Sequence, residues 1–531
     1  MQQNPGGQIV SRKNFSILLA ALAGVSCLLV PQPSFADGDL QKVNHIIIVM
    51  QENHSFDNYF GVLALAPNSP YHQSFFGCFP GDHQCVDGLA CFVDHAGNYH
   101  CGNFNPDAGA PASLVFAFHD KTRCTVPDLD HSWLGTHQEM NFEFPNSTLG
   151  FTFSDGFVRV NDMTEQIDTT ENATEDETIS FYNQNDLPFY YDLAGKFAIS
   201  DRYFSSVLGP TFPNRSYLMA ATSFGHLTTS DTFPPPGGYK PITGTIFDLF
   251  DQNGVSWADY FQDAPQGGSF RLFSATGVDP HFFPLPLFLA QVAGAPGVPP
   301  LPSVSLVDPN FGLFSRTKEN DEHPPTDIQR GQAFVSQVIN AVRNGPYWKD
   351  SIIFITYDDH GGYYDHVHPP RAPQQGRALN PDGINPGQCE DLSNPPASLQ
   401  PGGGAECSSN FLSASDTSVK DAEALCPALT ADPTGPYPVQ CANFNQLGVR
   451  VPFLAISPFS KPAYVSHAVG SHTSLLALIE KRFLNVGGQP LHLTKRDQSS
   501  NTLEDLFDFA NSPSLSTTLT QAAPSAIDCT P

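Results

Sequence analysis

Glu52 and Asn53 directly follow the apolar run Ile46-Ile47-Ile48-Val49-Met50-Gln51. Asp358 and Asp359 directly follow Ile352-Ile353-Phe354-Ile355-Thr356-Tyr357. Carboxylates and an amide oxygen are hard donors that suit a divalent cation. Two adjacent carboxylates repel each other unless a cation or a proton stands between them. The competing reading of Glu52-Asn53 is the capping of a helix N-terminus. For Asp358-Asp359 it is a solvated polar turn, in which Gly361-Gly362 lets backbone approach closely. β-Branched runs that stop abruptly at polar groups read as buried parallel strands, and α/β enzymes place chemistry at the carboxyl ends of such strands. The two runs therefore predict one metal-centred site assembled from distant parts of the chain.

A third segment, Gly209-Pro210-Thr211-Phe212-Pro213-Asn214-Arg215, enters a helix predicted over 212–223, with Pro213 in its first turn. Thr211 would stand at the positive end of that helix. Backbone donors there can cradle a phosphoryl group, and a metal can lower the pKa of the hydroxyl. The plainer reading is that Thr211 is an N-cap. His131 and His137 lie in Asp130-His131-Ser132-Trp133-Leu134-Gly135-Thr136-His137, and His323 in Asp321-Glu322-His323-Pro324-Pro325. Histidines can bind phosphoryl oxygens or protonate a leaving alkoxide, and each of these also reads as a structural residue. His472 reads as a neighbour of a helix cap.

These residues need a scaffold of alternating strands and helices. Strands are predicted over 43–50, 352–356 and 451–457, and helices over 245–252, 328–342 and 473–483. The pattern predicts an α/β fold with a mainly parallel central sheet wrapped by helices. Segments 67–125 and 371–445 are rich in Gly, Pro and Cys and read as disulfide-stapled loop insertions. Residues 165–180 read as an acidic, exposed loop. The stretch 264–302, with Phe270, Phe273, Phe282, Phe283 and Phe288, reads either as a rim facing substrate or as packed core.

Composition narrows the function. A formal net charge of -28 repels nucleic acid and anionic membrane, so no nucleic-acid partner is expected. Residues 1–36 read as an export signal: Arg12-Lys13, an apolar core over 17–30, and the cleavage site Ser34-Phe35-Ala36. Ser11-Arg12-Lys13-Asn14-Phe15 is close to a twin-arginine signal. The mature chain is expected to be one catalytic domain over 37–531, in the periplasm, on the cell surface or outside the cell. No later run is long and apolar enough to span a membrane, which leaves transient contact with a membrane surface. Of the 11 cysteines, Cys27 falls in the leader. Cys78, Cys85, Cys91, Cys101 and Cys124 cluster early, and Cys389, Cys407, Cys426, Cys441 and Cys529 late. Both clusters are odd, so if all pair at least one disulfide must join them. A zinc site is disfavoured because no Cys-x-x-Cys spacing occurs.

Taken together, the segments resemble the bacterial phosphoesterase family of nonspecific phospholipases C and acid phosphatases, within the alkaline-phosphatase-like superfamily. The resemblance rests on residues 51–61, 209–215, Glu322-His323-Pro324 and 357–367. Arg450-Val451-Pro452, Ile456-Ser457-Pro458 and His472-Thr473-Ser474 continue it. It implies a central sheet with helices on both faces, Thr211 as nucleophile, and Glu52, Asn53, Thr211, Asp358 and Asp359 as the metal shell. Asp359 stands where the family more usually has Glu, and a shorter carboxylate there can alter metal distance or choice. The cation implied is calcium, zinc or magnesium. The implied activity is phosphoric ester hydrolysis through a phospho-threonine, with His131, His137 or His323 stabilising charge or protonating the leaving group. Phosphatidylcholine-type lipids, cleaved to diacylglycerol and a phospho-headgroup, are the expected substrates. Broad acid phosphatase action on soluble monoesters is the alternative, and a noncatalytic secreted binding protein is the alternative of another class.

Overall fold

Apolar, β-branched runs bounded by turns form the eight strands of the main sheet. In chain order these are β1 (His45–Gln51), β2 (Ala198–Ser200), β3 (Trp257–Phe261), β4 (Phe282–Pro284), β5 (Val304–Val307), β6 (Ser351–Tyr357), β7 (Phe453–Ile456) and β8 (Tyr464–Ser466). The computed structural model describes residues 37–531 apart from 75–76, 108–112, 125–127, 141–153, 166–175, 230–233, 235–236, 374–381, 383–443, 445, 523–528 and 530–531. The strand order is β4-β3-β5-β1-β6-β7-β2-β8. All neighbours run parallel except β7, which is antiparallel to both β6 and β2. The chain leaves the carboxyl end of β6 and returns at that same end of the sheet, where Arg371 and Gln446 pair as an antiparallel bridge. No crossover is needed, so β7 runs back, whereas parallel strands require one.

Both faces of the sheet are covered, which is why its strands read as continuous apolar runs rather than alternating ones. Ile48, Val304 and Leu306 meet Leu218, Phe247 and Leu476 from three helices on one side. Ile47, Val49 and Val307, which point the other way, are equally buried. The helices that matter here are α1 (Phe56–Phe60), α2 (Trp133–Met140), α3 (Thr211–Ala220), α4 (Ile246–Asn253), α5 (Ile328–Arg343) and α6 (His472–Phe483). Capping chemistry sets their ends. Thr245 and Asp248 form a capping box at the start of α4, and Gly254 closes it with φ 66°. Asp327 caps α5 by accepting from Gln329 N–H.

The stretch 264–302 is not an aromatic rim: Phe270, Phe282 and Phe288 are buried, because β4 and the helix Leu285–Val292 belong to the packed sheet. Phe273 alone among the five rings named there is exposed. Disulfides Cys78–Cys85 and Cys91–Cys101 staple the early insertion, and Cys124–Cys529 joins the two cysteine clusters. The other late cysteines, the leader, the core of the 165–180 loop and nearly all of the 371–445 insertion lie outside the described residues. Among the described residues, no helix is long and apolar enough to cross a membrane.

Candidate active site

The parallel register of β1 with β6 runs from His45 opposite Ser351 to Gln51 opposite Tyr357. One residue further on, Glu52 and Asp358 leave the sheet side by side, and Asp358 N–H donates to the Gln51 carbonyl at 3.2 Å. Asn53 turns the chain with φ 70°, a left-handed conformation that Asn tolerates. Neither Glu52 nor Asn53 caps α1; Ser55 does, by accepting from Asn58 N–H. The glycine pair behaves as its sequence suggests. A Cβ on Gly361 would meet the Asn53 carbonyl oxygen at 2.3 Å, and one on Gly362 would meet Leu129 Cβ at 2.5 Å. These two close approaches lock the Asp358-Asp359 turn against Asn53 and against the segment leading to His131.

Thr211 is the first residue of α3 and not its cap, because Pro210 holds the cap position. The loop before it is pinned by Asn214. Its Oδ1 accepts from Ser206 N–H (2.8 Å) and Val207 N–H (3.0 Å), and its Nδ2 donates to the Gly209 carbonyl at 2.7 Å. One turn beyond Thr211, Arg215 is buried and joins the helix to both strand ends. Its Nη2 donates to Glu52 Oε1 at 3.0 Å and its Nε to Asp358 Oδ2 at 3.1 Å. Gln266, itself held by Asp308, accepts from Arg215 Nη1 at 3.2 Å. Residues four apart on a helix share a face, so this tether turns the Thr211 face of α3 toward Glu52 and Asp358. Asn214 and Arg215 carry this geometry, yet the sequence reading gave them no role. A single sequence offers no signal that a polar residue inside a helix is tied to a distant strand.

The donor set fits a divalent cation. Asn53 Oδ1 and Asp359 Oδ2 are buried with no hydrogen-bond partner. Burial, and then the neighbouring Asp358 charge, push the Asp359 carboxyl up to about 8. Burial also raises Glu52, against the pull of Arg215. Among the described residues, Glu52, Asp358 and Asp359 are not a trio of donors within 4.8 Å of one another; Arg215 binds two of them instead. His131 lies beside this donor set. Its burial opposes protonation, but the Asp359 and Asp128 charges push it up to about 10. Its Nδ1 donates to the Leu129 carbonyl at 2.8 Å, and the Asn53 side-chain amide lies 3.2 Å from Nε2.

The three candidate histidines do not form one group. His131 and His323 are neighbours, with ring centroids 5.9 Å apart, and Asp128 lies 3.9 Å from each. His137 stands apart: its Nδ1 bonds to the Trp133 carbonyl at 2.6 Å, and burial lowers it to about 4. It reaches the Thr211 loop only through the Trp133 ring, which packs on Gly209. His472 is more than a cap neighbour, since its Nε2 donates to the Asp358 carbonyl at 2.7 Å. Burial lowers it to about 4, so it is a neutral prop.

Beneath His323, Glu322 is fully buried in a cage of hydroxyls. Tyr59 and Tyr190 donate to it at 2.5 Å and Tyr357 at 2.6 Å. Burial raises the Glu322 carboxyl to about 7, against these hydrogen bonds. The folded protein therefore holds this proton more tightly than the unfolded chain. The resulting stability is complete below about pH 4.5 and is lost as pH rises through about 7. Glu322→Gln is expected to flatten the pH dependence of Tm across that window. An unchanged slope in thermal unfolding would count against this assignment.

The chain is similar to non-specific phospholipase C6 of Arabidopsis thaliana, 27% identical over 95% of this chain and 80% of that protein. Phospholipase C B of Mycobacterium tuberculosis is 28% identical over 90% of this chain and 80% of its own length. Among solved structures, murine ectonucleotide pyrophosphatase/phosphodiesterase 5 aligns with 60% of this chain and 94% of that one, at 11% identity and a TM-score of 0.30. The Phosphoesterase family model matches residues 43–486, a span that takes in every strand of the main sheet and every candidate residue above. The chain belongs to the Phosphoesterase family and is a phosphoric ester hydrolase.

Proposed function

We propose that this protein is an exported phospholipase C, cleaving phosphatidylcholine-type phospholipids to diacylglycerol and a phospho-headgroup. The observation that carries the mechanism is Thr211 at the first position of α3, with Arg215 tying that helix to Glu52 and Asp358. The phospholipase C names of the relatives support the choice of lipid substrate. A calcium, zinc or magnesium ion would be held by Glu52, Asn53, Asp358, Asp359 and the Thr211 hydroxyl, and when bound it lowers the pKa of that hydroxyl.

Thr211 Oγ1 gives up its proton to solvent and attacks phosphorus, and the bond from phosphorus to the glycerol oxygen breaks. The N-terminus of α3 offers backbone N–H groups and positive partial charge to the phosphoryl oxygens. His131 or His323 gives a proton to the departing diacylglycerol alkoxide. Water then attacks the phospho-threonine and the same histidine takes its proton; the bond from phosphorus to Thr211 Oγ1 breaks, Oγ1 regains a proton from solvent, and the phospho-headgroup leaves. The mature protein is a single catalytic domain over 37–531, released from its 1–36 leader into an oxidising compartment that suits its disulfides.

One assay set tests the reading: the purified protein on phosphatidylcholine and on nitrophenyl phosphate, with and without chelator. Lipid cleavage is expected, and complete metal removal is expected to lower it by at least about a hundredfold, with recovery on adding back one divalent metal. Cleavage of the monoester alone would replace this reading with an acid phosphatase. Cleavage of neither would leave a binding protein. Undiminished turnover with no metal found by elemental analysis would remove the cation from the scheme.

A further inference from the structure

The loop after β5 begins inside the site and ends in solvent. At its root, the Phe311 ring lies under the Arg215 guanidinium, 5.1 Å from ring centroid to the carbon. Asp263, buried, accepts from Phe311 N–H at 3.1 Å and from Leu313 N–H at 3.0 Å. Asn310 N–H donates to Asn320 Oδ1 at 2.6 Å and closes the base of the loop. These bonds hold the tip outward through its backbone rather than by packing. Leu313 is 50% exposed and Phe314 81% exposed, the largest exposure of any large apolar residue among those described. Arg316 and Lys318 follow and are also exposed, while the loop's acidic groups, Asp308 and Glu319, are buried. A protein of net charge -28 thus presents, beside its candidate site, an apolar tip with two cations.

We propose that the loop 308–319 docks the enzyme on a phospholipid bilayer, with Leu313 and Phe314 entering the lipid and Arg316 and Lys318 meeting headgroup phosphates. The proposal rests on the phospholipase reading and names how that site meets its substrate. An apolar side chain standing at the membrane interface beside basic residues gains both burial and attraction to phosphate. The overall acidity of the chain favours a zwitterionic surface over an anionic one. Another exposed apolar surface, the hairpin bearing Phe104 and Phe116, is less suited. Residues 99–118 contain no Lys or Arg to meet phosphate.

The test compares the full-length enzyme with L313S/F314S, R316E/K318E and F104S/F116S. Each is assayed for sedimentation with phosphatidylcholine vesicles, and for turnover of those vesicles and of a short-chain phosphatidylcholine kept monomeric. Thermal unfolding verifies that each variant is folded. L313S/F314S is expected to weaken vesicle binding by at least about tenfold and to lower the ratio of vesicle to monomer turnover to match. R316E/K318E is expected to move both in the same direction. Equal binding by L313S/F314S and wild type overturns the proposal, as does a loss confined to F104S/F116S. A lipid-free dimer that L313S/F314S abolishes also overturns it, since the tip would then meet a second copy. If the wild type cleaves neither lipid yet sediments with vesicles through the tip, the phospholipase reading fails and the docking surface stands. If it cleaves both and L313S/F314S does so equally, the docking surface fails and the phospholipase reading stands.

Discussion

Thr211→Ala is expected to lower kcat/KM by at least about a thousandfold while leaving the fold intact. Among the described residues, no hydrogen bond that holds the fold involves this hydroxyl. Pro210 is the cap of α3, Asn214 pins the preceding loop, and Arg215 ties the helix to β1 and β6. The variant therefore removes one oxygen from a site whose other parts are held independently. Its Tm should stay within a few degrees of wild type, which thermal unfolding can verify beside the kinetics. Thr211→Ser, which keeps the hydroxyl, should retain a substantial fraction of turnover. Near-normal turnover in Thr211→Ala would remove the phospho-threonine from the mechanism.

The largest loss of stability is expected at Arg450. This residue is fully buried and gathers four loops at the carboxyl end of the sheet. Its Nε donates to both oxygens of Asp365, at 2.9 and 3.1 Å, and its Nη2 donates to Asp57 at 3.0 Å. Its Nη1 donates to the carbonyls of Asp87 (2.8 Å) and Asp201 (3.0 Å). The guanidinium also lies over the Phe56 ring, 4.5 Å from its centroid. Replacing it with Leu or Met leaves Asp57 and Asp365 buried beside fewer positive charges. Breaking such a buried pair from one side costs about 3–5 kcal/mol. Denaturant unfolding of Arg450→Met is the measurement, and a loss below about 1 kcal/mol would show the network to be redundant. His366 keeps Asp57 partly compensated at 2.6 Å, so the double removal should cost more than either alone.

How far the sequence reaches is clear from β1 and β6. Their apolar runs fixed two buried strands, and the polar residues that end them put Glu52, Asn53, Asp358 and Asp359 at strand ends; that the two strands are neighbours came from the tertiary structure. Local chemistry likewise fixed α4 and α5 to within about a residue, because caps and αL glycines act over one turn. Hairpin geometry was not legible in the same way. The strand over 453–456 was legible as a strand but not as antiparallel, since direction depends on where the intervening chain returns. The aromatic stretch 264–302 stayed open between rim and core in the sequence, because ring content does not tell a packed face from an exposed one; the fold decides for the core at Phe270, Phe282 and Phe288.

By itself, the sequence determined the α/β class, the oxygen-bearing residues that end β1 and β6, Thr211 at a helix start, and, if all the cysteines pair, a disulfide between the two clusters. These follow from interactions between residues close in the chain, or from parity. The tertiary structure alone decided which residues hold that site together. Arg215, Asn214, Glu322 and Arg450 act through partners that lie far from them in sequence or in the loops they pin. It also separated His137 from His131 and His323, and it set an apolar tip on the rim at Leu313 and Phe314. The physical reason is the same in each case. A buried charge or an exposed ring takes its meaning from what surrounds it, and folding brings those surroundings from distant parts of the chain.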